Sequence, residues 1–414
     1  MLLLLPGFVL PAAEQLSSDP LLESARAGDG KSQLLLADAF FFGRGRLVNP
    51  TLAVYWYRKS ASSGNVQAQY NLAVCLEKGW GANKSVIAAY SWYSKAAEKG
   101  LLAAVIRKAE LLFAGVPDEH AGTVTVPGIS AEPEKAKVLL KGLAEKHPQA
   151  AASLAEMLFR DVKNLQKNAV LLRQLLEKAL QVPEPSNGTL LLLATVLQDG
   201  IGGAPDQKRA ADLLEKAAMR RDPAGCVRYG LLLEHGHGRP FDPAEAIKLY
   251  RYAAEKNNAR GMFELARHFK SGFYLEQDLK RAFELFFNSA AKGYPPAFAE
   301  MGDCLRYGLG TEESAEKAFD SYIRGARLSD VRSQLRAGEC FEKGCGVLED
   351  PAGAVYWYRK AAENGNAEAC RRLALAFLTG YGVKKDIAVG SRLLKQAASL
   401  GDADAEKLLI KWSN

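Results

Sequence analysis

The chain has 414 residues, 48% of them hydrophobic and 24% charged, with a formal net charge of +7. This is the balance of a packed protein, long enough for two or three domains or for one elongated array. The positive charge is modest and no Lys/Arg run accompanies it, which argues against nucleic-acid binding.

The first thirteen residues, MLLLLPGFVLPAA, form an apolar stretch that ends in small residues before Glu14. They read as a possible signal peptide, truncated because no Lys or Arg precedes the apolar run, with cleavage after Ala13. A periplasmic or secreted location follows from that reading, a cytoplasmic one from its alternative, a buried or disordered N-terminus. No cysteine precedes Cys75, so a lipoprotein anchor is unsupported. No other run approaches the roughly 18 to 20 apolar residues that cross a bilayer, so no membrane span is expected in the mature chain. Residues 14–30 are expected to form an N-terminal capping helix.

From residue 31 the chain repeats itself. Glycine pairs stand at Gly43/Gly45 and Gly79/Gly81, then at Gly200/Gly202, Gly236/Gly238, Gly308/Gly310, Gly344/Gly346 and Gly380/Gly382, with a single Gly272 between; within each block the interval is 36 residues. Six residues after each first glycine comes a helix N-cap type: Asn49, Ser85, Asp206, Asp242, Asp278, Ser314, Asp350 and Asp386. Proline follows at Pro50, Pro243 and Pro351, the first helical position, where its missing N–H costs nothing. Ten residues after the glycine comes a small column (Ala53, Ala89, Ala210, Ala246, Ala282, Ala318, Ala354, Gly390). Bulky pairs such as Trp56-Tyr57, Trp92-Tyr93 and Trp357-Tyr358 lie one turn beyond. That spacing writes an apolar helical stripe.

A second helix precedes each glycine pair, with Ala37, Ala73, Ala194, Gly230, Ala266, Gly302, Gly338 and Ala374 as its small column. Each repeat is therefore helix A, a Gly-x-Gly turn, then helix B. Such a pair cannot bury its apolar faces alone and stacks on its neighbours. The expected fold is an all-α solenoid: two repeats over 31–101, two degenerate repeats over 102–186 with an inserted loop at 115–130, six repeats over 187–402, and a capping helix over 403–414. The degenerate pair has its helix B equivalents at Ala136 to Glu145 and Leu171 to Ala179.

The segment 338–365 carries Gly338, Phe341, Gly344, Gly346, Ala354, Trp357, Tyr358, Lys360, Ala361, Ala362 and Gly365. This resembles the Sel1-like repeat family, a cousin of tetratricopeptide repeats, and the resemblance covers nearly the whole chain after residue 30. It implies a right-handed superhelix of antiparallel helix pairs. It also implies a non-enzymatic scaffold or adaptor role, often in bacterial envelope, secreted or signalling settings. The surface offered to a protein or peptide partner would be the exposed, concave side of the A helices. The alternative is a small-ligand or cell-wall-fragment-binding protein or enzyme that uses the 115–130 loop as a lid.

Residues that suggest chemistry weaken under internal comparison. Cys345 stands in a column filled elsewhere by Arg44, Trp80, Ile201, His237, Phe273, Leu309 and Tyr381; the reading is an exposed turn tip, not a nucleophile. Eight glycine turns with no preceding strand and no Lys-Ser/Thr after them are helix–helix turns, not phosphate loops. Cys75, Cys304, Cys340 and His268 share one helix A column, but packed helices sit roughly 9 to 10 Å apart, and a disulfide needs Cα atoms within about 7 Å. Free, partly buried thiols are expected. His235 and His237 are too few to hold a metal. Ser314-x-x-Lys317 echoes penicillin-recognising enzymes, yet Ser314 stands in the N-cap column and no Lys-Thr-Gly follows. Phe41 and Phe42 occupy positions that hold polar residues elsewhere; they either form a partner-binding patch or, the favoured reading, pack against the N-terminal helix. With Trp80, His235, Arg306 and Tyr307 they make the candidate partner-binding surface. No catalytic residue, cofactor or metal is expected, and the chain is expected to be a monomer.

Overall fold

A computed structural model describes residues 19–121 and 124–412. The apolar stretch 1–13, and with it the signal-peptide reading, lies outside the described residues. The chain divides into two compact units, Met1–Pro205 and Asp206–Asn414.

Unit 1 holds α1 (Pro20–Arg26), α2 (Gly30–Phe42), α3 (Pro50–Ser62), α4 (Val66–Lys78), α5 (Val86–Glu98), α6 (Leu102–Ala114), a hairpin of β1 (Glu119–Ala121) and β2 (Val124–Val126), then α7 (Pro133–Ala144), α8 (Pro148–Arg160), α9 (Leu165–Ala179) and α10 (Asn187–Gln198). Unit 2 holds α11 (Gln207–Met219), α12 (Pro223–His235), α13 (Pro243–Glu255), α14 (Ala259–Ser271), α15 (Leu279–Ala291), α16 (Pro295–Tyr307), α17 (Ala315–Arg327), α18 (Val331–Lys343), α19 (Pro351–Glu363), α20 (Ala367–Thr379), α21 (Ile387–Ser399) and α22 (Ala403–Trp412). From α2 onward even numbers are A helices and odd numbers B helices. Within each unit successive helices pack on one another, as an all-α solenoid of repeats requires. Residues 14–18 of the helix expected over 14–30 lie outside the described residues; α1 starts at Pro20, where Asp19 accepts the Leu21 and Leu22 N–H groups, and Asp29 caps α2 at Gly30.

All eight expected N-caps of the B helices accept a backbone N–H from the first turn, from Asn49 to Leu52 through Asp386 to Val389. The A helices use the same device at Asn65, Asp222, Asn258, Asp330 and Asn366. Their caps recur with the same pitch and went unread in the sequence.

The largest fully buried side chains include Tyr57, Tyr93, Tyr250, Tyr322 and Tyr358, all fourteen residues after a first glycine. A buried phenol needs an acceptor. Each finds a carboxylate on its own helix A: Asp38 at 2.6 Å, Glu77 at 2.9 Å, Glu234 at 2.7 Å, Asp303 at 2.8 Å and Glu342 at 2.7 Å. Those acids stand five or two residues before the glycine. Where the same column holds Leu214, Phe286 or Leu394, both positions lack an acid: Thr195/Gln198, Arg267/Lys270 and Leu375/Leu378.

After the first turn, whose Gly45 has open space around it, the second glycine of a Gly-x-Gly turn meets the preceding repeat. A Cβ on Gly346 would stand 2.1 Å from the Ala315 carbonyl oxygen, at the first residue of α17. Tyr274 takes this place in its own repeat with φ +63, a conformation that bulky residues seldom adopt.

Candidate functional site

The six candidate residues fall into separate groups. Phe41, Phe42 and Trp80 come together in unit 1, at the turns of its first two repeats. The Phe41 ring lies 5.0 Å from Phe42, 5.8 Å from Trp80 and 6.2 Å from Tyr57. Phe42 is 57% exposed and Trp80 47%, and the Arg44 guanidinium stands 4.9 Å above the Phe42 ring. Packing against the N-terminal helix therefore does not describe Phe42, whose ring faces outward beneath Arg44. Leu47 and Val48, in the same turn, are exposed as well.

His235 belongs to unit 2, exposed, with its ring 5.7 Å from His237. Tyr307 is exposed beside Arg306, whose guanidinium lies 5.4 Å from its ring. Arg306 itself is turned inward, its side chain 17% exposed and 3.6 Å from Glu339. It belongs to a ladder of ion pairs that ties α14, α16, α18 and α20 to one another in succession. Lys270 on α14 reaches Glu300 on α16; Arg332 and Arg336 on α18 reach back to Glu300 and Asp303; Arg372 on α20 reaches Glu339 and Glu342 on α18. Glu300, Asp303 and Glu339 are buried. The A-helix face is thus internally paired along this run, and the sequence reading, which treated it as an open surface, did not show this.

Other motifs resolve into structure. Ser314 accepts the Lys317 backbone N–H at 3.3 Å, so its hydroxyl serves as a helix cap. All six cysteines are free thiols, five of them buried; burial pushes Cys75 and Cys304 up to about 11. Cys226 and Cys370 each direct their sulfur at the carbonyl eight residues back, Ala218 and Ala362. Gln33, Gln69 and Gln334, in the same column, do the same with their amides. Cys345 departs from the exposed turn tip expected: it is half-buried, because Arg306 of the preceding repeat covers it at 4.0 Å. Among the described residues no group of three or more His, Cys, Asp or Glu could hold a metal, and no helix is long and apolar enough to cross a membrane.

The inserted loop is fastened down. Val116 and Ile129 bridge its base, and the Glu119 carboxylate accepts Val86 N–H at 2.5 Å, Ile87 N–H at 3.1 Å and the Ser85 hydroxyl at 2.6 Å. An acid at a helix N-terminus meets both the free N–H groups and the positive end of the helix dipole. This anchors the insertion to α5.

Glu234 joins three elements. The Tyr250 hydroxyl donates to it at 2.7 Å and His268 of α14 lies 3.5 Å away. The His268 contact, ahead of the Tyr250 bond, holds its carboxyl down at about 2 against an ordinary 4.5. A depressed folded-state pKa stabilises above the unfolded value and the gain is lost as pH falls. Glu234→Gln is therefore expected to cost on the order of 3 kcal/mol above pH 5. Urea midpoints of the two chains should converge as pH drops from 4.5 towards 2; parallel curves would show that Glu234 carries no such linkage.

No curated protein matches the chain by sequence. Among solved structures, c5321, a protective antigen of uropathogenic Escherichia coli strains displaying an SLR fold, superposes with a TM-score of 0.53 at 23% identity. The match covers 96% of this chain and 90% of that one, and shows likeness of fold. A Sel1 repeat protein from Oxalobacter formigenes superposes with a TM-score of 0.52 at 29% identity over 57% of this chain and 97% of its own. The Sel1 repeat profile matches residues 30–65, 66–101, 190–222, 223–258, 259–294, 295–330, 331–366 and 367–402. With most of its length accounted for by those eight matches, the chain belongs to the Sel1 repeat family.

Proposed function

We propose that this chain is a non-enzymatic scaffold that holds a protein or peptide partner, and that the Phe41–Phe42–Trp80 patch of unit 1 is a point of contact. Sel1 repeat proteins typically mediate protein–protein interaction. The observation that carries the proposal here is the aromatic cluster itself: two half-exposed rings joined through Phe41 across two repeats, with Arg44 over one of them. Exposed aromatics beside an arginine are the residue types that anchor partners. The paired A-helix face of unit 2 is a poorer place for a partner's charges, since its own carboxylates are already taken. The anchoring of Glu119 to α5 removes the main support for a ligand-binding lid. The apolar residues 1–13 support an exported setting for the scaffold.

Selection from a random peptide display library tests the proposal. Peptides enriched by the wild-type chain are expected to carry an acidic residue next to an aromatic or aliphatic one. Their binding should fall at least about tenfold in Phe42→Asp/Trp80→Asp while far-UV circular dichroism stays unchanged. Enrichment that is indifferent to both substitutions would remove the patch from the function.

A further inference from the structure

The turn from α18 to α19 carries two thiols, Cys340 and Cys345, at the two ends of one helix closure. Helix α18 ends at Gly344 with φ +66, and the Cys345 N–H folds back to the Cys340 carbonyl at 3.0 Å. That six-to-one bond marks a Schellman cap, a closure in which the residue after the glycine and the residue that accepts its N–H frequently make a side-chain contact. Both positions are cysteine here, and both thiols are free. Cys345 packs against the core cluster that contains Cys340, yet it alone among the six cysteines is not fully buried. Beside it stands the Arg306 guanidinium, 4.0 Å from Sγ, with its Nη1 buried and lacking a hydrogen-bond acceptor. A partly exposed thiol next to a fixed cation, with a second thiol in reach, is the arrangement that oxidants select.

We propose that Cys345 and Cys340 form a peroxide-sensitive dithiol, in which Cys345 is oxidised first and Cys340 resolves it to an intramolecular disulfide. In the first step the Cys345 thiolate attacks hydrogen peroxide. The S–O bond forms, the O–O bond breaks, and the departing hydroxide takes up a proton to become water. In the second step the Cys340 thiol attacks the sulfenic sulfur; the S–S bond forms, the S–O bond breaks, and the leaving hydroxide takes the Cys340 proton as a second water. Two electrons pass from the thiol pair to the peroxide. Burial pushes Cys340 up to about 11, so it remains protonated and the first attack falls to Cys345. The pair lies at a junction between repeats, since Gly346, the next residue, seats against the Ala315 carbonyl of α17; oxidation would act where one repeat bears on the last.

The full chain, treated with hydrogen peroxide, alkylated and digested with trypsin, reads this out directly, because cleavage after Lys343 separates the two cysteines unless a disulfide joins their peptides. The expected result is one new link, between the Cys340 and Cys345 peptides, in the monomeric protein. Before oxidation, Cys345 should react with iodoacetamide at least about tenfold faster than any other cysteine. In Cys340→Ser the link is absent and dimedone traps a sulfenic acid on Cys345. In Arg306→Gln, with its circular dichroism unchanged, alkylation of Cys345 slows several-fold. Equal reactivity of all six thiols, links that join other cysteines or different chains, or a Cys345 carried to sulfinic acid with no link would each overturn the proposal.

Discussion

Gly346→Ala is expected to destabilise unit 2 by about 3–5 kcal/mol, while Gly344→Ala, two residues earlier in the same turn, costs about 1–2. Both glycines are left-handed, with φ +73 and +66, so each alanine incurs the same conformational cost. Only the space around them differs. A Cβ on Gly344 meets nothing nearer than 3.6 Å, whereas on Gly346 it would lie 2.1 Å from the Ala315 oxygen and 2.4 Å from its carbonyl carbon. These are backbone atoms at the start of α17, and no rotamer change moves them aside. The α18–α19 turn must lift off the preceding repeat, giving up the junction that stacks the pair. Urea denaturation measures the two costs. Hydrogen exchange locates them, with loss of protection expected to spread along α18 to α22 in Gly346→Ala, because each repeat is supported chiefly by its neighbours. Similar costs for the two variants would mean that the 36-residue pitch does not depend on this contact.

Much of this was legible in the sequence because it repeats. The glycine pair, the B-helix caps and the small columns each recur in register, and eight copies distinguish a turn from a phosphate loop or a reactive cysteine. The bond from tyrosine to carboxylate was equally legible and was missed. Its signal is a pairing inside the chain, an acid five or two residues before the glycine only where the buried column holds tyrosine, and reading columns one at a time conceals it. The ion-pair ladder was harder to see. Its partners sit 29 to 33 residues apart, as in Asp303 with Arg332 and Glu339 with Arg372, and not at the 36-residue pitch. The offset comes from how neighbouring A helices lie against each other, which is a property of packing. The anchoring of Glu119 to α5 lay further beyond reach: nothing in the inserted loop repeats, and its partner is an N-terminus some thirty residues earlier. For the candidate surface, column comparison did pick out Phe41, Phe42 and Trp80, which the fold gathers, but it had no means of showing that Arg306 points inward.

Glu339→Gln is the second substitution expected to be severe. One buried carboxylate, 5% exposed, serves Arg372 at 2.8 Å, Arg336 at 2.9 Å and Arg306 at 3.6 Å, from three successive A helices. The amide keeps the shape but removes the charge, leaving three guanidinium groups around a neutral oxygen. Breaking a buried pair in this way typically costs 3–5 kcal/mol, because the stranded charge has already given up its water. A pair on the surface sets the contrast. Lys360 and Glu363 lie 3.2 Å apart with their side chains 44% and 55% exposed, so Glu363→Gln should cost less than about 1 kcal/mol, and that cost should fade in 1 M salt. The Glu339 effect should persist in salt, since ions do not screen a site closed to solvent. Adding Arg306→Met to Glu339→Gln should recover part of the loss, because it removes the guanidinium whose ion partner is Glu339, and a double-mutant cycle reads that recovery as a coupling energy. If the single change costs under 1 kcal/mol and the cycle shows no coupling, the ladder is a bystander, and the A helices of unit 2 are held by their apolar seams and the glycine contact alone.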